Sequence, residues 1–166
     1  MLKRILVPLD GSARAERALL VAARIARSSG GSLVLYRAVP MPGTYGAMYA
    51  GVRLSQAIIE DDTAAAKTYL EELKQWDLLR GIPVECAAEV GVPAGLILEQ
   101  AEEQNVDLIV ICSHGRSKLG RWVLGSVAEH ISHHAPVPVL VLSEHGKIPL
   151  DSPDPEHLLR MLVPLD

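Results

Sequence analysis

The residues richest in chemical content lie in Val110–Ser126, VICSHGRSKLGRWVLGS. An apolar run, Leu108-Ile109-Val110-Ile111, stops abruptly at Cys112-Ser113-His114-Gly115. A basic stretch punctuated by glycine follows, and an amphipathic pattern resumes at Gly125-Ser126. A strand that empties into a glycine-containing loop and then a helix presents free backbone N–H groups, which is what a phosphate needs. Gly115 lets the backbone approach a ligand, and the Gly125 and Ser126 amides with the Ser126 hydroxyl offer donors at a helix N-terminus. Arg116, Ser117 and Lys118 add charge and a hydroxyl between them. The plain alternative is a βα loop whose glycines only permit tight turning.

Other chemistries fit this region less well. Gly115–Trp122 has the glycine spacing of a P-loop, yet Arg121-Trp122 stands where Lys-Ser/Thr must be. No Gly-x-Gly-x-x-Gly follows the first strand, which removes support for a dinucleotide site. Ser28–Ser32 precedes a strand and is a helix stop. His130, His133 and His134 cluster near a helix end without the Cys or carboxylate spacing that would complete a metal site, and they suit the helix dipole there. His114 has no serine, cysteine and acid partners in triad arrangement. Trp76 and Trp122 read as packing residues. No general base is aimed at a water, so no catalytic residue is assigned. Slow hydrolysis or self-phosphorylation at Ser117 or Ser126 is the enzymatic alternative.

The elements that must position this loop follow from hydrophobic periodicity. Arg4–Leu9 reads as a buried strand closed by Asp10-Gly11-Ser12, with Ser12 or Asp10 capping the next helix. That helix buries Ala15, Ala18, Leu19, Ala22, Ile25 and Ala26 on one stripe and ends at Gly30-Gly31. Ser32–Val39 is a second strand, and Pro40–Val52 a long mobile loop. A helix from Leu54 to Arg80 follows, with Ile58, Ile59, Ala66, Leu70, Leu73 and Leu79 inward. Pro83–Val90 is the third strand. Pro93 opens a helix whose inner stripe is Leu96, Ile97 and Ala101. Asp107–Cys112 is the fourth strand, Trp122–His134 a helix and Val137–Leu142 the fifth strand.

Strands alternating with helices predict an α/β fold: an open five-stranded parallel sheet with helices on both faces, Rossmann-like in order 3-2-1-4-5. With the first strand central, the turns after Leu9 and after Ile111 meet at the switch point where such sheets bind ligands.

Composition narrows the class. The chain has 166 residues, enough for one domain with a sizeable core. Phe is absent and aromatics are 4%, so the core must be aliphatic, as buried parallel strands prefer. A net charge of −4 argues against a general nucleic-acid binder. No apolar run reaches the ~20 residues needed to span a bilayer, and Asp10 interrupts any signal-peptide pattern. Cys86 and Cys112 read as reduced, partly buried thiols of a cytoplasmic protein.

The motifs together resemble the universal stress protein family. Its nucleotide signature, Gly-two residues-Gly-nine residues-Gly-Ser/Thr, is matched by Gly115, the nine residues Arg116–Leu124, and Gly125-Ser126. The family's first glycine falls at Cys112, whose side chain would narrow a phosphate pocket. Val7-Pro8-Leu9-Asp10-Gly11-Ser12 is similar to the first-strand motif, Gly91-Val92-Pro93-Ala94 to the third-helix entry and Val137-Pro138-Val139-Leu140-Val141 to the closing strand. The resemblance implies ATP or a related adenine nucleotide with Mg²⁺, and a role as stress sensor or switch. It implies that Pro8, Leu9 and Asp10 line the crevice, with Asp10 near the ribose or a phosphate-bound Mg²⁺. The backbone of Ala38 would meet adenine. Ile111, Cys112, Gly115 and Arg116, with Gly125, Ser126 and Val127, would hold ribose and phosphates. It also implies pairing through the last strand, as a homodimer or tandem pseudo-dimer. The rival reading is a nucleotide-free dimerisation module, which Cys112 favours.

The tail reads as an internal repeat, since Arg160–Asp166 matches Arg4–Asp10 at six of seven positions; the plain alternative is a lone C-terminal strand that converges on the same apolar-Pro-Asp pattern. We therefore expect a domain over 1–143, a linker over 144–159, and the first strand of a second repeat over 160–166.

Overall fold

The structure is a computed structural model that describes residues 2–41, 52–113 and 125–143, with side chains described from 56 onward in the middle stretch. Gly115, Arg116, His114, Trp122, most of the Pro40–Val52 loop, the linker and the 160–166 repeat lie outside the described residues. The element order is β1 (Arg4–Pro8), α1 (Ala13–Ser29), β2 (Ser32–Val39), α2 (Val52–Lys74), a 3₁₀ turn (Asp77–Leu79), β3 (Val84–Val90), α3 (Pro93–Glu103), β4 (Leu108–Ser113), α4 (Ser126–His134) and β5 (Val139–Ser143). The five strands form one parallel sheet in the order β3-β2-β1-β4-β5.

Strand alternation divides the core into two layers. Ile5, Val7, Leu33, Leu35, Leu108 and Val110 face α1 and α2. Leu6, Val34, Tyr36, Ile109 and Ile111 face α3 and α4, where Ile97, Ala101, Ala128 and Ile131 meet them. The whole expected stripe of α1 is buried. Small alanines on that stripe let the helix lie close to the sheet without a Phe anywhere in the core.

Helix ends follow local chemistry. The Ser12 hydroxyl accepts from the Ala15 amide at 3.2 Å, so Ser12 is the N-cap of α1. Asp10 does a different job: its Oδ1 accepts from the Ser12 amide at 2.9 Å and folds the turn before the cap. Gly30, at φ 63°, supplies the left-handed C-cap, and the Gly31 amide donates to the Ala26 carbonyl at 2.8 Å.

Several expectations need correction. The helix expected over Leu54–Arg80 begins at Val52 and stops at Lys74, and Leu79 reaches the core from the 3₁₀ turn instead. Arg27 of α1 meets the segment after the stop, where its guanidinium donates to the Leu78 carbonyl at 2.5 Å. Ile58 is 42% exposed and not inward. The 23 residues of α2 rise about 35 Å, whereas the seven of β3 span about 23 Å, so the first turns of α2 overhang the sheet. Trp76 is 41% exposed, outside the core. Strand ends shift by a residue or two: β5 starts at Val139 instead of Val137, and β4 at Leu108 instead of Asp107.

Asp107 is withdrawn from β4 because its carboxylate has other work. Oδ2 accepts from the Lys3 amide at 2.7 Å and the Arg4 amide at 2.9 Å, tying β1 to the entrance of β4. These backbone donors, Arg4 first, hold its pKa below the usual carboxylate range. A depressed folded pKa stabilises the fold above the unfolded value of about 4 and loses that contribution as pH falls through the folded value. Asp107→Asn should therefore cost about 1 kcal/mol at pH 7 and little at pH 2. Urea unfolding at the two pH values reads the difference, and equal losses at both would contradict it.

Candidate functional site

The carboxyl ends of β1, β2 and β4 and the amino ends of α3 and α4 enclose a cleft of about 420 Å³. This is the switch point of the sheet, where β1 has β2 on one side and β4 on the other. Pro8, Leu9 and Asp10 enter from the end of β1, and Ala38 from β2. Ile111 and Cys112 come from β4, and Gly125, Ser126 and Val127 from the start of α4. All nine described residues expected at the site therefore share one cleft.

Each wall has a local cause. Pro8 lacks an N–H and closes β1, after which the Leu9 amide still donates to the Tyr36 carbonyl at 2.8 Å. The next residues turn away at Gly11, whose φ of 87° is a left-handed conformation that favours glycine. Asp10 is thereby left exposed at the cleft.

Two helices begin here and differ as anion sites. Pro93 occupies the first turn of α3, so one of its free donors is missing. Gly125 precedes α4 with φ −62° and ψ 150° and no side-chain cap. Among the described residues no side chain caps the first-turn amides of α4 beside the cleft. Ser126 is exposed there and adds a hydroxyl.

The cleft also contains residues that pattern reading missed. Tyr36, Arg37, Val39 and Pro40 line it from β2 and its exit, Asp62 and Ala65 from α2, Pro93 and Ile97 from α3, and Ser113 from β4. Arg37 had a visible signal, as a charge inside the apolar strand SLVLYRAV. Its guanidinium lies 5.0 Å over the Tyr69 ring, a cation–π contact. Tyr69 is anchored by its hydroxyl, which donates to Glu16 Oε1 at 3.0 Å. Burial first, then Glu16, holds the Tyr69 phenol above its ordinary range, so it stays protonated as that donor.

The thiols differ in setting. Cys86 is a half-buried free cysteine whose pKa burial pushes up to about 11, with its Sγ 3.5 Å from the Leu70 carbonyl. It is a protonated packing group. Cys112 is in no disulfide, half-buried and part of the cleft wall. Among the described residues no cluster of three or more His, Cys, Asp or Glu side chains could hold a metal ion, and no helix is long and apolar enough to cross a membrane. The His130 and His134 rings stack at 4.3 Å on the last turn of α4, and His134 Nδ1 lies 2.8 Å from the His130 carbonyl.

Fold and cleft define an open parallel α/β domain with an anion-ready crevice at its switch point. The universal stress protein family model matches residues 1–143, and the chain belongs to that family. Universal stress protein MJ0531 of Methanocaldococcus jannaschii is 31% identical over 147 residues, covering 87% of this chain and 84% of the relative. The solved structure of MJ0577, a universal stress protein of the same organism, is 29% identical with a TM-score of 0.72, covering 86% of this chain and 96% of the other. A universal stress protein solved in complex with cAMP is 26% identical with a TM-score of 0.58, covering 86% and 98%.

Proposed function

We propose that this universal stress protein binds ATP, with Mg²⁺, in the cleft between β1 and β4 and works as a cytoplasmic stress sensor or switch. The observation that carries the reading is the convergence of the uncapped α4 amides, Ser126 and Asp10 on one crevice. A structural neighbour solved in complex with cAMP supports an adenine nucleotide as the ligand class. The α4 amides and Ser126 hold phosphate oxygens, the strand end at Ala38 meets the base, and Asp10 faces the ribose or the metal. Asp10 and Asp62 are the two carboxylates among the described lining residues that suit a phosphate-bound Mg²⁺. Gly115 and Arg116 complete the phosphate loop in this reading. Cys112 narrows the crevice without filling it, since an open volume remains beside it.

Binding to the folded state alone stabilises it by about 2.7 kcal/mol at a hundredfold excess over Kd. Millimolar Mg-ATP should thus raise Tm by about 5–10 °C, with GTP giving less. No shift with any adenine nucleotide would refute the reading. In the same reading the open edge of β5 pairs with a second copy or a following repeat, which covers an otherwise exposed strand edge. Light scattering should then report twice the 17.9 kDa chain mass, and a monomer at all micromolar concentrations would contradict a homodimer.

A further inference from the structure

Arg37 sits in the cleft wall with no task in the contacts described above. It is half-buried near the carboxyl end of β2, on the α1/α2 side of the sheet. Two uncharged surfaces hold it: the face of Tyr69, and the backbone of the Asp10–Ser12 turn. A Cβ on Gly11 would stand 3.1–3.2 Å from the guanidinium atoms, so glycine is what lets Arg37 lie against that turn. No carboxylate among the described residues lies at ion-pair distance from it. A guanidinium held in place by a ring and a turn, with its fork of donors unused by an ion pair, is prepared for a planar or tetrahedral anion.

The charge balance of the cleft gives this a purpose. Among the described lining residues the ionised groups are Asp10, Asp62 and Arg37, two negative and one positive. A phosphate entering that crevice meets repulsion from both carboxylates, and Arg37 is the described side chain that offsets it. The α4 amides belong to a helix on the other face of the sheet and open onto the same cleft.

We propose that Arg37 is a specificity-determining residue of the cleft, taking a phosphate oxygen of the ligand so that phosphorylated nucleotides are chosen over the nucleoside. The proposal rests on the nucleotide reading of the cleft. Its test is isothermal titration of the full chain and of Arg37→Gln and Arg37→Lys with Mg-ATP, adenosine and, separately, tripolyphosphate. Circular dichroism and Tm confirm that the variants fold. Arg37→Gln should weaken ATP by about tenfold or more and leave adenosine within about twofold, with Arg37→Lys between, because lysine keeps the charge and loses the fork. Unchanged ATP affinity in Arg37→Gln would overturn the proposal while leaving nucleotide binding intact. Equal loss for ATP and adenosine would also overturn it, by showing a structural role. If the unmutated chain binds tripolyphosphate through Arg37 but no adenine nucleotide, the anion role stands and the nucleotide reading falls. Binding of none of the three probes would overturn both.

Discussion

Ala38→Trp should abolish the proposed ATP binding while the sheet stays folded; this is the largest functional effect the cleft geometry predicts. Ala38 lies one residue from the end of β2, is half-buried and lines the cleft on the side of α3 and α4. An indole there projects into a crevice whose total volume is about 420 Å³. In the proposed reading a planar base lies beside the strand here, and the small residue leaves it room. Overpacking a closed core costs about 1–3 kcal/mol, and a cleft that opens to solvent relieves part of that strain. The affinity loss should be at least about 100-fold, equivalent to about 2.7 kcal/mol of binding. Titration with Mg-ATP reads the affinity and urea unfolding reads the stability. ATP binding that survives unchanged would move the base away from β2.

The largest stability effect is expected at Leu70, and Ile58 on the same helix is its control. Leu70 is fully buried in the layer between α2 and the sheet, and Ile58 is 42% exposed. Leu70→Ala should cost about 2–5 kcal/mol through lost transfer energy and the cavity left behind. For a chain of this size that lowers Tm by about 5–15 °C. Ile58→Ala should stay within about 0.5 kcal/mol, as surface substitutions do. Comparable losses at the two positions would mean that the start of α2 is covered, against the overhang described here.

The contrast between these residues shows what could be read from the chain. Strand runs such as Ile5–Val7 and Leu108–Ile111 are apolar on both faces because parallel strands are covered twice, and that signal is local. Periodicity also placed Leu70 and Leu73 inward. It placed Ile58 there as well, because an apolar stripe does not record where the sheet beneath the helix ends. The stop at Lys74 was hidden as well, because apolar periodicity continues through Leu78 and Leu79 into the 3₁₀ turn.

The site divides in the same way. Asp10, Gly125 and Ser126 stand at strand-to-helix junctions, where turn chemistry is visible in the residue types. Asp10 and Ser12 were equivalent as caps in sequence, and only the hydrogen bonds assign the cap to Ser12 and the turn to Asp10. Arg37, Asp62 and Ala65 reach the cleft through sheet register and helix placement. The charge of Arg37 within an apolar strand was a local signal, but which side chains share the cleft is a long-range fact that no local pattern encodes.

The most direct test is amide NMR of the full chain, uniformly labelled, titrated with Mg-ATP. Binding in the cleft predicts saturable shifts at Leu9, Asp10, Ala38, Gly125, Ser126 and Val127. Glu85, Gln104 and Asp107, at the opposite end of the sheet around Arg4, should stay in place. Shifts absent at millimolar ATP, or confined to residues outside the crevice, would contradict the account.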